Sequence, residues 1–284
     1  MPGAYHRLIR LSQHALLSAY SIFSLLPFLW MVSAALKRPQ DVLTVPIRWI
    51  PPVWQPQNFL RALLEPRFAG ENLARFMANS VMVAVITTMA SILLSTIVGY
   101  GFAKFQFRLR DTLLWVMLST TLLPFSSVII PLFLIVRRLH MIDSLWALVI
   151  PFALTGQSIF LARQFIITVP GELLDAGRVD GAGEMQIFLR LVFPLLGPAI
   201  VTLGITTFLT SWNLFLWPLV VLSSQERFTL PLGLSLMGLG STFLVDYHLW
   251  MAAAALAVLP PLAVFFLLER QYMRGLEALS GLKG

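Results

Sequence analysis

TVPGELLDAGRVDGAGEMQIFLRLVFPLLGP, residues Thr168 to Pro198, gathers Glu172, Asp175, Arg178, Asp180, Glu184 and Arg190 between two apolar stretches. Pro170 suits the first helical position, where its missing N–H leaves nothing unsatisfied. Glu172 then falls in the first turn, where a carboxylate meets the positive end of the helix dipole. Leu173, Leu174 and Ala176 supply an apolar strip. Asp180-Gly181 reads as a stop, because glycine takes the left-handed conformation that ends helices. A second helix is expected from about Gly183, with Ile187, Phe188, Leu191 and Val192 recurring at three- and four-residue steps. Pro194 and Pro198 close it. The expected product is an L-shaped pair of short helices at a membrane surface. Its apolar face has two uses open to it. It can rest on its own chain as an ordinary amphipathic interfacial loop, or it can fill a pocket in a partner.

The rest of the chain is membrane-compatible. Of 284 residues, 58% are hydrophobic and only 12% charged, about half the charged share of a soluble domain, and the mean hydropathy is +0.82. This composition predicts an all-α polytopic membrane protein forming one domain over residues 1–284. There is no cysteine, which excludes disulfides, thiol nucleophiles and cysteine metal sites. The net charge of +7 reports topology at an anionic membrane face rather than a nucleic-acid partner, since a basic binding patch needs a soluble face to sit on.

Six spans are expected, at about residues 15–36, 78–103, 112–136, 144–162, 199–223 and 249–268. The first follows a basic lead, His6, Arg7 and Arg10. It is longer than a cleavable signal core of about 7–15 residues, so it reads as a retained span with the N-terminus inside. Residues 37–76 form a proline-rich outer connection with Trp49 and Trp54 suited to an interface. Folding over the outer mouth and a disordered linker are both open to it. Ser91, Ser95 and Gly99 share one face of the second span, where small residues admit a close neighbour. Lys104, Arg108 and Arg110 mark an inner loop, and Arg270, Arg274 and Lys283 an inner C-terminus. Both termini and the Thr168–Pro198 stretch therefore fall on the cytoplasmic side. Arg137-Arg138 in an outer turn runs against the positive-inside rule.

No Asp, Glu, Lys or Arg lies within the six spans. Ion-coupled carriers use intramembrane carboxylates or histidines as relays, so energy for transport is expected to enter from outside the bundle. Gln157, Ser158, Thr206, Thr207, Ser211 and Asn213 are the polar candidates for a route taken by a hydroxyl-rich solute. Interhelical hydrogen bonding is their other reading. Asn213 lies between Trp212 and Trp217, an aromatic setting that suits a sugar ring and equally suits packing.

The Thr168–Pro198 stretch resembles the EAA motif of permease subunits of ATP-binding-cassette importers. The family pattern is roughly EAA, three residues, G, nine residues, I, one residue, LP. Asp175-Ala176 stands for its first pair, Gly181 for its glycine, and Leu191, Phe193 and Pro194 for its end. The form found in carbohydrate importers is similar to Asp180, Gly181, Ala182, Ile187, Phe188 and Pro194. Gly177 departs from the second alanine and is expected to weaken its helix by about 1 kcal/mol. The tail RGLEALSGLKG is similar to that of the second permease of maltose-type importers.

The resemblance implies a subunit that pairs with a related permease as a heterodimer and docks on two ABC ATPases. An extracellular or periplasmic solute-binding protein then delivers a sugar across the cytoplasmic membrane of a bacterium or archaeon. It assigns ATPase coupling to Glu172, Asp175, Ala176, Arg178, Asp180, Gly181 and Ala182. It leaves Asn213, Gln157 and Trp212 as translocation-path candidates, with the main sugar site in the other permease. The tail from Arg274 is expected to reach the ATPases. No catalytic, metal or cofactor site is expected, and the chain lacks a phosphate-binding loop with its lysine. Glycerol 3-phosphate or another small polar solute is the alternative cargo, although the absence of Arg or Lys in the spans leans away from a phosphorylated one. A secondary carrier working alone and a membrane scaffold are the alternatives of a different class.

Overall fold

The computed structural model describes residues 2–66, 72–239 and 243–280, which hold helices and no strand. Three helices are long and apolar enough to cross a membrane singly, with qualifying stretches Ile9–Ala35, Leu73–Lys104 and Asp246–Gln271. Three further crossings are reached only if each of three bent helix pairs is counted as one. We name the main helices α1 (Pro2–Ala35), α2 (Leu73–Lys104), α3 (Arg110–Thr120), α4 (Phe125–Arg138), α5 (Trp146–Phe152), α6 (Gly156–Ile167), α7 (Gly171–Val179), α8 (Glu184–Leu195), α9 (Gly197–Trp212), α10 (Leu216–Val221), α11 (Leu230–Leu239) and α12 (Phe243–Ser280). The chain divides into two compact units, Met1–Ala74 with Leu234–Val258 and Arg75–Gly233 with Leu259–Gly284.

In the first unit residues 37–66 of the proline-rich connection are tied back to the end of α1. Asn58 is buried and donates to the carbonyls of Ala35 and Lys37 at 2.8 and 2.9 Å, closing the frayed end of α1. Lys37, also buried, donates to the carbonyl of Arg48 and lies 4.1 Å from the ring centre of Trp30. The connection is thus tied down by satisfying the last carbonyls of α1, which would otherwise lack partners. Over these residues a disordered linker is the reading this removes.

The second unit is organised along α2. Its 32 residues make a rod of about 48 Å, longer than the roughly 30 Å of bilayer hydrocarbon. At one end Asn79 donates to the carbonyls of Glu226 and Phe228 at 2.8 and 3.0 Å. At the other, Lys104 donates to the carbonyl of Val169 at 2.6 Å and Tyr100 to Glu184 at 2.8 Å. Between them the small-residue face meets α6. Ser95 donates to Ser158 at 2.7 Å, and a Cβ on Gly99 would stand 3.0 Å from that of Ala162. Small residues on both helices permit this approach.

Three expected spans differ in detail. The stretch 112–136 is α3 and α4, bent by 103° around Thr121–Pro124. Thr120 and Thr121 turn their hydroxyls back onto the carbonyls of Met117 and Leu118, and Pro124 stands extended at ψ 135, since its ring hinders a continued helix. The stretch 144–162 is α5 and α6, bent by 47°, and α6 continues to Ile167. The stretch 199–223 ends as a helix at Trp212 and resumes as α10. Pro218 lacks the N–H that would have bonded the carbonyl of Leu214 and bridged this gap.

The loop at the Asn79 end of α2 is held by Asp143. It accepts from the amides of Ser223 and Ser224 at 3.0 and 2.9 Å, from the Ser224 hydroxyl at 2.5 Å and from Arg227 at 2.8 Å. Burial pushes this carboxyl up, but the hydrogen bonds from Ser224 and Ser223 and the Arg227 charge outweigh it and leave it below its ordinary 3.8. A depressed carboxyl stabilises the fold above its unfolded value, and that contribution fades as pH falls through the folded one. Asp143→Asn is therefore expected to cost about 1–2 kcal/mol, read as a lower melting temperature in detergent at neutral pH. The gap between wild type and variant should begin to close as pH falls below about 3.8 and vanish only below the depressed folded value; a gap that does not narrow with acidification counts against the Asp143 cluster as its source.

Candidate coupling surface and solute cavity

α7 begins at Gly171, with Pro170 extended just before it rather than at its first position. The helix ends in a Schellman motif. The amide of Ala182 donates to the carbonyl of Gly177 and that of Gly181 to the carbonyl of Arg178, both at 3.0 Å. Gly181 supplies the required left-handed residue at φ +80. α8 then starts after Gly183, whose amide donates to the Gln186 side chain at 3.3 Å. It widens into a π turn over Phe188–Val192, directly before Pro194, whose ring would clash with the carbonyl of Arg190 in a regular helix. α8 meets α9 at 78°.

The expected apolar strip of α7 is divided between two surfaces. Leu174 is buried with Ile187, Phe188, Val192, Tyr100 and Ile166 in one core cluster. Burying each of these large side chains contributes about 1.5–3 kcal/mol. Gly177 is buried as well, and a Cβ there would lie 3.0 Å from Leu191 Cδ1 and 3.3 Å from Ile187 Cγ1. The departure from alanine thus sits where α7 and α8 approach closely, a packing role that helix propensity does not register. Leu173 and Ala176 face outward instead.

Arg178 donates to Asp175 at 2.7 Å and to Glu184 at 2.8 Å, bridging the two short helices. Exposed ion pairs contribute little stability, so this bridge sets orientation. Glu184 also accepts from Tyr100, whose ring packs against Phe188 with centroids 5.4 Å apart. The α7–α8 pair is therefore fastened to the end of α2 by Tyr100 and Lys104.

On α7 one outward face stands clear of these contacts. Glu172, Asp175, Ala176 and Val179 recur at helical spacing and are exposed, with Leu173 beside them and Asp180 at the tip. Val179 is 88% exposed. This is an apolar ridge rimmed by carboxylates, complementary to an apolar cleft with a basic border. Of the seven residues assigned to coupling, Glu172, Asp175, Ala176, Asp180 and Gly181 lie on this surface. Arg178 is engaged within the pair, and Ala182 packs partly buried against the core. The sequence placed Leu173, Leu174 and Ala176 on one apolar strip, which hid the outward face that Leu173 and Ala176 share with Val179, and Val179 itself was not singled out.

A cavity of about 550 Å³ opens within the same unit. Gln157 lines it, together with Thr206, Thr207 and Ser211. Thr120, Thr121, Thr155 and Thr210 line it too and were not singled out from the sequence. The pair Thr120-Thr121 just before Leu122-Leu123-Pro124 was the available signal, a polar step at a helix break. Asn213 and Trp212 are not part of the lining. Asn213 is exposed and caps the end of α9 by donating to the Leu209 carbonyl at 2.8 Å. Trp212 is buried, stacked on Phe208 at 5.7 Å and 16°. Among the described residues no group of His, Asp and Glu is arranged to hold a metal ion.

Residues 91–276 match the family model described as binding-protein-dependent transport system inner membrane component. The arabinooligosaccharide permease AraQ of Bacillus subtilis is 35% identical over 76% of this chain and 75% of its own length. The lactose permease LacG of Rhizobium radiobacter is 32% identical over 95% and 96%. The sn-glycerol-3-phosphate permease UgpE of Pectobacterium atrosepticum is 35% identical over 73% and 75%. In fold, the chain is similar to a chain in the crystal structure of a bacterial ABC transporter involved in import of the acidic polysaccharide alginate. The TM-score is 0.81 at 21% identity, covering 93% of this chain and 96% of that one. A chain with this motif, these apolar helices and these relatives belongs to the inner membrane components of binding-protein-dependent transport systems.

Proposed function

We propose that this chain is a permease subunit of an ATP-driven sugar importer and that the outward face of α7 is the surface by which ATPase subunits move it. The observation that carries the reading is a rigid, carboxylate-rimmed apolar ridge fastened to α2, the rod that also lines the cavity through Ser91. Relatives named for arabinooligosaccharides and lactose support a sugar as cargo. In this reading the chain pairs with a related permease, two ATPases hold the α7 ridges, and a solute-binding protein presents the sugar at the far side. Both termini lie with α7 in the cytoplasm.

The chain's own part is mechanical. ATP binding in the partners draws the ridges together. The Schellman cap and Arg178 keep α7 and α8 moving as one body. Tyr100 and Lys104 pass that displacement to α2, and Ser91 lies about 14 Å further along the same helix. A two-state bundle is thereby biased by ligands bound elsewhere. The test is uptake by the assembled importer in proteoliposomes, driven by ATP and the loaded binding protein. Uptake of a sugar by this chain reconstituted alone would favour a secondary carrier instead.

Tyr100→Phe removes the link to Glu184 while keeping the ring against Phe188. Loss of one hydrogen bond to a partly exposed carboxylate is worth about 1 kcal/mol, so ATP-driven uptake is expected to fall about fivefold. Basal ATP hydrolysis by the complex, measured in parallel, should stay near wild type; an equal fall in both would assign Tyr100 to assembly rather than transmission.

A further inference from the structure

We infer that the cavity inside this chain is itself a subsite for a neutral saccharide, built to take hydroxyl donors and to refuse anions. The inference rests on the importer reading above and adds a binding role for this subunit's own residues.

The wall is mapped by its protons. Thr206 donates its hydroxyl to the Thr202 carbonyl at 2.8 Å, and Thr210 donates to Thr206 at 2.9 Å. Thr120 and Thr121 likewise spend theirs on Met117 and Leu118 at 2.7 and 2.6 Å. Each hydroxyl has one proton and two lone pairs. With the proton spent on its own helix, each oxygen is left as an acceptor. These four oxygens therefore ask for donors, while Gln157, Thr207 and Ser211 in the same lining keep protons to give. Sugar hydroxyls, which donate and accept, answer both. A phosphate or carboxylate brings only acceptors and leaves the four threonine oxygens unanswered.

Ser91 adds an unmet hydroxyl, donor and acceptor both, at the cavity wall. It is 1% exposed, lines the cavity, and its hydroxyl has no hydrogen-bond partner. A buried hydroxyl left unpaired is unfavourable, and the groups that line this space are the ones a bound ligand would meet.

Among the described residues no Asp, Glu, Lys, Arg or His lines the cavity. An anion entering it would lose water without gaining a counter-charge. On another side stand Phe125 and Phe152, with centroids 6.1 Å apart and planes tilted by 45°. Aromatic faces against neutral polar groups match a pyranose, which carries C–H faces and a rim of hydroxyls. The volume falls within the range of small-molecule pockets, roughly 300–1,000 Å³.

The test uses the assembled importer in nanodiscs without its binding protein, so that contact with the permease alone is read. Saturation-transfer NMR is recorded with L-arabinose, D-glucose, lactose and maltose, and with sn-glycerol 3-phosphate as the anionic probe. Saturation transfer is expected to at least one neutral sugar and none to glycerol 3-phosphate. Thr207→Val combined with Ser211→Ala keeps shape and removes free hydroxyls, and should weaken the sugar signal about tenfold. A single Ser91→Ala variant, which deletes an unpaired group, should weaken it without loss of assembled complex on gel filtration. Transfer to glycerol 3-phosphate at the level of the sugars, or sugar transfer unchanged in both variants, would overturn the subsite. Uptake in proteoliposomes separates the two readings. Wild-type sugar uptake with unchanged variants sinks the subsite alone. ATP-driven uptake of glycerol 3-phosphate and of no sugar sinks the sugar reading with it.

Discussion

Gly181→Val is expected to abolish uptake while leaving the protein in the membrane. Gly181 sits at φ +80, and nothing lies within 4 Å of a Cβ placed there. The penalty is thus conformational rather than steric. A left-handed backbone costs an ordinary residue about 1–2 kcal/mol, and a β-branched one is a true outlier there. The two cap hydrogen bonds from Gly181 and Ala182 contribute about 1 kcal/mol each. A strain of that size releases the cap, and α7 no longer moves with α8. The core cluster beneath it keeps Leu174, Ile187 and Phe188 buried, so insertion survives. Gly181→Asn, which tolerates the left-handed conformation, should retain most of the uptake. Sugar uptake in cells, normalised to membrane-fraction immunoblots, checks both. Normal uptake by the valine variant would mean that the turn carries no force.

The second large effect concerns Val179. At 88% exposure it contributes almost nothing to folding of the isolated chain, and Val179→Asp should leave its melting temperature unchanged. In the proposed complex the same side chain enters an apolar cleft. Truncating an interface anchor typically costs about 2 kcal/mol or more, and an unpaired buried charge adds several more. Co-purification of the ATPase is expected to fall by well over tenfold. Glu172→Gln, on the rim of the same face, should weaken it only a few fold, because a rim charge acts mostly on encounter. Full retention of the ATPase by Val179→Asp would remove α7 from the interface.

The sequence made the α7–α8 pair legible because its signals were local. A glycine at a left-handed position, a helix-favouring first turn and a three-to-four repeat each need only neighbouring residues. The Schellman cap at Gly181 and the start of α8 after Gly183 follow from them. Gly177 shows where that approach stops. Propensity sees a weak helix former, whereas its burial against Leu191 and Ile187 is a fact of tertiary packing. Asn213 is similar. Its aromatic neighbours in sequence suggested a path residue, and they gave no sign of the helix break after Trp212 that bonds Asn213 to the Leu209 carbonyl. Periodicity carried one apolar run through residues 199–223, and the effect of Pro218 on the carbonyl of Leu214 lies four residues away from the proline itself. The face of Ser91, Ser95 and Gly99 did announce a close neighbour. That neighbour is α6, with Ser158 and Ala162 in register, a pairing set by tertiary packing and not by any local signal.

Transmission along α2 joins these pieces. One end of this helix touches the loop stapled by Asp143, its middle lines the cavity, and its other end holds α7 and α8 through Tyr100 and Lys104. No intramembrane carboxylate is needed in such a scheme, in keeping with the uncharged spans.

Site-directed cross-linking decides whether α7 is the surface that the ATPase grips. The chain has no native cysteine, so a single introduced thiol reports one position. Val179→Cys, carrying a short photoreactive maleimide in the assembled importer, is expected to cross-link to the ATPase and to do so more strongly with ATP bound. Ser223→Cys, exposed beside the Asp143 loop at the other end of α2, should not. Cross-linking of the ATPase from Ser223→Cys and none from Val179→Cys would contradict the account.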